Sequence, residues 1–194
     1  MKRISSGALL EQLRSDTCTI ILQAKHFQQN DPELLTQQPE PGKWSVAQVL
    51  EHLNAYGRYY LPEIEKALKQ HRLNPEREFT PGWLGNYLTN AMKPTADKRI
   101  KNKMKAMKDY TPDPDLDSKK VVDDFLTQQQ SILNLIEQAG HNNISKIRIP
   151  ISIARFITLK LGDTFRFLIA HNQRHILQSE NVLRAIREQN LAAA

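Results

Sequence analysis

The residues best suited to chemistry in this 194-residue chain are two histidines four positions apart, His171 and His175, in the sequence HNQRH. On a helix, positions i and i+4 project from the same face, so both imidazoles can approach a single metal ion. Leu168 and Val182 fall on the same stripe and indicate that this face points inward. A shared metal would satisfy both imidazoles there, since unpaired buried polar groups are costly. The spacing alone is a weak signal, because such pairs also occur where histidines only form hydrogen bonds.

His52 is the natural third ligand. It lies one turn after Val49 and one turn before Tyr56, beside the apolar stripe of its own predicted helix. Facing helices of a bundle can bring inward ligands to one level. Three neutral imidazoles suit zinc, nickel, iron or copper better than magnesium or calcium. Three protein ligands also leave a coordination position open for water or substrate, which is the pattern of catalytic rather than structural sites.

The remaining histidines fit this site less well. His26 lies near the end of the first predicted helix, His71 follows a polar stretch, and His141 comes directly after Gly140 in a predicted turn. We expect all three to be solvated.

Three further side chains are candidates to surround the metal or contact a substrate, namely Tyr56, Arg174 and Gln178. Arg174 is able to hold an anionic substrate, although the burial tendency of arginine favours a surface position. Tyr56 is expected to be a core aromatic. No strong candidate for a general base appears, and we expect Glu51 and Glu180 to face solvent.

Four long segments with helical periodicity must position these residues. They are predicted over residues 5–29, from the N-cap Ser45 to about Leu68, from the N-cap Ser118 to Ala139 with Gly140 as the stop signal, and over residues 161–188. Few strand signals accompany them. The sequence therefore predicts an all-α fold, a four-helix bundle formed by a single domain over residues 1–194.

Prolines mark the expected interruptions. Pro62 is predicted to kink or break the second helix near residues 58–61. Residues 72–118 contain five prolines and are the least regular part, with only a short helix predicted over residues 83–92. Residues 144–153 alternate in part, but their proline and the lack of a second strand candidate argue against a sheet.

The charge distribution offers a second possible function. Lysine and arginine number 27 against 21 acidic residues, and much of the excess lies in a tract without acids, at Lys98, Arg99, Lys101, Lys103, Lys105 and Lys108. Such a tract can neutralise phosphates, so nucleic-acid binding is one interpretation. The tract has no aromatic residue on which a base could stack, and a solvated face is the favoured interpretation.

Compartment signals are few. Cys18 is the single cysteine, which excludes an internal disulfide and a cysteine-based zinc site and suits a reducing cytosol. The N-terminus lacks the pattern of a signal peptide, and no run of apolar residues approaches the length of a membrane span. We expect a cytoplasmic protein without membrane contact.

Two motifs resemble those of the DinB-like superfamily, which includes bacillithiol S-transferases and mycothiol-dependent isomerases. One is PGKWSVAQVLEHL at residues 41–53, and the other is HNQRHILQSENVL at residues 171–183. The sequences YTP, at residues 110–112, and LGD, at residues 161–163, also fit. The resemblance covers most of the chain.

The resemblance implies a DinB/YfiT-like four-helix bundle whose metal, usually zinc or nickel, is held by His52, His171 and His175. It implies a small-molecule substrate, a low-molecular-weight thiol as a further cofactor, and a homodimer. The family name does not imply DNA binding. Apart from YTP, residues 72–118 match no family motif, and because they could cover the metal, we expect them to decide substrate identity.

Three functions remain open at this point. The first is a divalent-metal-dependent enzyme, either a thiol-dependent S-transferase or a hydrolase in which water attacks. The second is a non-catalytic metal- or ligand-binding stress-response protein. The third is nucleic-acid binding through the basic tract, which is the least favoured.

Overall fold

The apolar periodicities become helices in the computed structural model, which describes residues 2–71, 73–100 and 105–193. These residues form α1 (Ser6–Gln28), α2 (Pro32–Thr36), α3 (Val46–Gln70), α4 (Trp83–Met92), α5 (Ser118–Ala139) and α6 (Leu161–Ala192). Four of them are long and pack against one another around one apolar core. The all-α class and the bundle are confirmed. Among the described helices, none combines the length and apolar character that a membrane crossing requires.

Side-chain caps set the starts of the long helices. Ser45 and Gln48 form a capping box at α3, in which each side chain accepts a hydrogen bond from the other residue's backbone amide. The predicted N-cap of α5 is wrong by one position, because Asp117 caps the amide of Lys120. The hydroxyl of Ser118 donates instead to the carbonyl of Pro32, 3.0 Å away, and ties α5 to α2.

Helix α3 continues through Pro62 to Gln70, so the predicted break does not occur. A proline inside a helix costs about 3 kcal/mol. Beyond it, Ile64 and Leu68 are buried in the core. Burying each such side chain stabilises the fold by about 1.5–3 kcal/mol, which offsets the cost of the proline.

The expectation that residues 144–153 form no sheet is wrong. Strand β3 (Arg148–Ile151) pairs antiparallel with β4 (Ala154–Lys160), with a register shift between Pro150 and Ile151. A proline is tolerated because the ribbon has only two strands and each is an edge. The hairpin packs on α3, where the hydroxyl of Tyr60 accepts a hydrogen bond from the amide of Ser152. A shorter antiparallel pair, β1 (Ile4–Ser5) and β2 (Glu78–Phe79), precedes this hairpin in the chain.

The LGD sequence at the start of α6 lets β2 and α4 pack closely on this helix. A side chain at Gly162 would lie 2.6 Å from the ring of Phe79, which is fully buried. Asp163 is 1% exposed and accepts hydrogen bonds from the amide of Gly82 and from Arg166. Burial raises the pKa of Asp163, and these two donors lower it in part. Gly85 of α4 sits directly against the same aspartate.

Replacing Gly85 should therefore destabilise the bundle. In Gly85→Ala the new methyl group lies 2.4 Å from Cβ of Asp163, which no side-chain rotation can move away. We expect the free energy of unfolding, measured with urea, to fall by about 1–3 kcal/mol. Gly7→Ala is the matched helical control, because its nearest atom lies 4.0 Å away. That variant should be as stable as wild type or up to about 1 kcal/mol more stable. Equal unfolding curves for both variants would contradict the close packing.

Candidate metal centre

The structure brings together the three histidines that the sequence singles out. His52 comes from α3, and His171 and His175 come from the facing side of α6. One ring nitrogen from each lies within 4.8 Å of the others. The Nε2 atoms of His52 and His171 are 3.4 Å apart. All three side chains are buried, the most exposed being His175 at 9%.

In two of the imidazoles, a hydrogen bond to a neighbouring oxygen determines which nitrogen carries the proton. Nδ1 of His52 lies 2.7 Å from the carbonyl oxygen of Tyr110, which can only accept a hydrogen bond. Nδ1 of His175 lies 2.9 Å from Oε1 of Gln178, which is also an acceptor. The carbonyl group fixes Nδ1 of His52 as the donor, and Oε1 of Gln178, as oriented here, accepts from Nδ1 of His175, so each Nε2 keeps its lone pair. Metal-binding histidines commonly show this arrangement.

His171 is positioned by packing instead. Its Nδ1 is buried and has no hydrogen-bond partner in the part of the chain that the structure describes. The ring of Phe167 lies parallel to it at 5.8 Å, and the ring of Tyr56 meets it at 4.5 Å. These two rings contact the imidazole and hold it in place.

The donor set fits a transition-metal ion. Ligand nitrogens about 2.0–2.1 Å from a metal in tetrahedral geometry are about 3.4 Å apart. The Nε2 atoms of His52 and His171 already have this separation. Neutral imidazole is also the form that binds metal.

Burial keeps the imidazoles neutral. Desolvation lowers the pKa of His52, and it lowers the pKa of His175 to about 3. The pKa of His171 falls well below its ordinary range, first because of burial and then because of the two other histidines and Arg174. The site is therefore ready to accept a cation at neutral pH.

A comparison with protein families agrees with this geometry. Residues 22–179 match the family model of the DinB superfamily. The chain belongs to the DinB superfamily. The match includes His52 and the whole HNQRH sequence. Searches of curated proteins and of solved structures gave no significant match. DinB membership and the buried histidine group together fit a metal-binding, enzyme-like protein.

The other candidate side chains of this DinB protein occupy different places. Gln178 contacts His175, as described above. Arg174 is 5% exposed, so the surface position favoured by its residue type is wrong. Burial lowers the pKa of its guanidinium. Tyr56 is only half-buried and lies beside the histidines rather than deep in the core.

The two glutamates take no part in the histidine group. Both are half-buried, so the expectation that they face solvent is wrong. Glu51 forms a salt bridge with Arg58, and Glu180 accepts a hydrogen bond from Gln23. The three remaining histidines are exposed as predicted, at His26, His71 and His141.

Sequence reasoning missed three neighbours of the site. Trp44, just before the N-cap of α3, lies 5.1 Å from the ring of His52. Phe167 precedes His171 by four residues, a spacing that could have revealed it. Tyr110, the first residue of YTP, ends a short 3₁₀ turn, Lys108–Tyr110, and contributes a backbone oxygen, a role that its residue type does not indicate. This turn confirms that part of the segment 72–118 reaches the site.

The basic tract is exposed where the structure describes it. Lys98, Arg99, Lys105 and Lys108 face solvent. Arg99 forms an ion pair with Asp97, which lies just before the tract. Lys101 and Lys103 lie outside the described residues.

The buried imidazoles should make the metal-free protein less stable in acid. Their folded pKa values lie below the ordinary value of 6.5, so the unfolded chain takes up protons that the folded chain does not. Their contribution to stability is fully present above pH 6.5 and is lost as the pH falls below it. Each histidine adds up to about 1.4 kcal/mol per pH unit to this slope. Urea unfolding with a chelator at pH 7.5, 6.5 and 5.5 measures it.

Two variants test whether His175 contributes to this dependence of the free energy of unfolding on pH. His175→Asn should reduce the loss of stability between pH 6.5 and 5.5, since a buried group that takes up a proton on unfolding is gone. His141→Asn, at an exposed position, should keep the wild-type slope. Identical slopes for the two variants would contradict a neutral, buried His175.

Proposed function

We propose that this protein is a divalent-metal-dependent enzyme that binds zinc or nickel and transfers a thiol sulfur to a small molecule. The observation that carries the proposal is the convergence of three buried imidazole nitrogens within 4.8 Å of one another. His52, His171 and His175 would be the ligands. Two of them already have their Nε2 lone pairs set by hydrogen bonds at Nδ1.

When bound, a divalent ion supplies a Lewis acid that lowers the pKa of a thiol or a water at its open position. The thiolate is the nucleophile in S-transfer. The thiol proton leaves to solvent, and the sulfur electron pair forms the new carbon–sulfur bond. The leaving group of the electrophile departs with the electron pair of the bond that breaks.

The surroundings of the histidines favour transfer over hydrolysis. Attack by water usually needs a general base beside the metal. Within residues 2–71, 73–100 and 105–193, the potential metal-binding group contains histidines and no carboxylate. Glu51 and Glu180 are engaged elsewhere. A thiol needs less help, because its ordinary pKa is about 8.5 and a nearby cation lowers it further.

Other parts of the proposal rest on position and on the family. Arg174, a buried cation next to His175, suits an anionic group on the thiol or on the electrophile. The segment 72–118 would select the substrate, a role that the contact between Tyr110 and His52 supports. We also propose a homodimer, on the basis of the family resemblance, and a cytoplasmic location, on the basis of the single cysteine.

One observation favours a second candidate, a non-catalytic metal- or ligand-binding protein. Each histidine is at most 9% exposed, and closed sites are typical of structural metals. In that case the metal would stabilise the fold, and chelation should lower the melting temperature sharply. An unchanged melting temperature on chelation would remove this candidate.

Metal content tests the site directly. Elemental analysis should find about one divalent ion per chain in the purified wild type and none in His171→Ala, since two imidazoles hold a metal less well than three. His26→Ala is the matched control, because His26 is exposed and should leave the metal content unchanged. Circular dichroism should show that both variants remain helical. The proposal would be refuted if the wild type held no metal after purification and still held none after incubation with zinc or nickel.

Turnover tests the chemistry. The metal-loaded wild type should convert at least one pair from a panel of low-molecular-weight thiols and alkyl halides. The loss of free thiol measures the reaction. His52→Ala should lose both the metal and the turnover while it stays helical. A loaded wild type that is inactive with every pair, and that melts much lower after chelation, would favour the non-catalytic candidate.

A further inference from the structure

Three tyrosines of α3 pack near the site, and their hydroxyl groups are used differently. The hydroxyl of Tyr59 donates to the carbonyl groups of Pro150 and Ile151, and that of Tyr60 accepts from the amide of Ser152. These two hydroxyls fasten the hairpin to the helix. The hydroxyl of Tyr56 forms no hydrogen bond in the described part of the chain. It is thus the one of the three without a structural role.

Tyr56 is also the tyrosine of α3 that contacts the histidines. Its ring lies 4.5 Å from that of His171 and 5.1 Å from that of His52. Tyr56 follows His52 by one helical turn. Side chains on a helix lean toward the preceding turn, so the Tyr56 side chain lies over the turn that carries His52.

The neighbours of Tyr56 hold its ring at this place. Tyr110 packs on it at 4.2 Å, and Tyr60 lies nearly parallel to it at 6.3 Å. The phenol of a tyrosine has an ordinary pKa of about 10 and therefore carries its proton at neutral pH. A phenol that is held in place and carries its proton can donate a hydrogen bond to a ligand.

We propose that Tyr56 donates a hydrogen bond to the anionic atom of a ligand bound on the three histidines. This inference rests on the proposed metal site and adds a residue that recognises the ligand. The ligand class is a small anion, such as a thiolate, that occupies the open position. Arg174, buried on α6, adds positive charge to the same surroundings. An uncharged ligand would gain less from either group.

Azide, a small anion that binds metals, serves as the probe. Wild type, Tyr56→Phe and Tyr60→Phe are each loaded with cobalt(II), whose visible absorption reports its ligands, and each is titrated with azide. A hydrogen bond to a charged group contributes about 1.5–3 kcal/mol. Azide should therefore bind Tyr56→Phe at least about tenfold more weakly than wild type. Cobalt content and the melting temperature of the metal-free protein should stay as in wild type.

Tyr60→Phe is the matched control and should behave in the opposite way. It loses the hydrogen bond to Ser152, so the melting temperature should fall while azide affinity stays unchanged. Equal azide affinity in Tyr56→Phe and wild type would overturn the inference and leave the metal site standing. A lower melting temperature or lost cobalt in Tyr56→Phe would also overturn it, since Tyr56 would then be structural. Failure of the wild type to bind cobalt would instead refute the metal site itself.

Discussion

Three imidazoles are buried where α3 meets α6, and each must be satisfied without water. The carbonyl of Tyr110 and the amide of Gln178 accept the Nδ1 protons of His52 and His175. These bonds leave Nε2 of His52 and Nε2 of His175 as acceptors, and Nε2 of His171 lies 3.4 Å from that of His52. A cation shared by the three imidazoles would satisfy one nitrogen of each, and the surrounding residues hold the imidazoles where it could bind.

The helices around the site must pack closely, because an imidazole displaced by an ångström could no longer bind the same metal ion as the other two. Small residues allow this approach. A side chain at Gly57 of α3 would collide with Gln128 of α5, and one at Gly85 of α4 would collide with Asp163 of α6. Asn172, next to His171, donates to the buried side chain of Gln129 and so joins α6 to α5. The inward face of α6 is polar near the histidines, and the buried apolar residues of the same helix join the core of the bundle.

Much of this could be predicted from the sequence, because both the bundle and the histidine group depend on local spacing. A period of 3.6 residues reveals the four long helices, and i, i+4 spacing places His171 beside His175. The predictions that failed concern features that depend on contacts between residues far apart in the sequence. Pro150 is compatible with a strand once β4 pairs with it. Arg174 is buried although its residue type favours the surface. The carbonyl of Tyr110 could not be found, because every residue has one.

The choice of three neutral ligands has a consequence for chemistry. Carboxylate ligands would cancel part of the charge of a divalent ion, whereas imidazoles leave it whole. The nearby guanidinium of Arg174 adds to it, as its effect on the pKa values of His171 and His175 indicates. With such an ion bound, the site would favour an anion over a neutral molecule and would lower the pKa of an acid that enters it. A thiol would gain from both effects. The phenol of Tyr56 would then supply direction, because a hydrogen-bond donor selects where the anionic atom lies and charge alone does not.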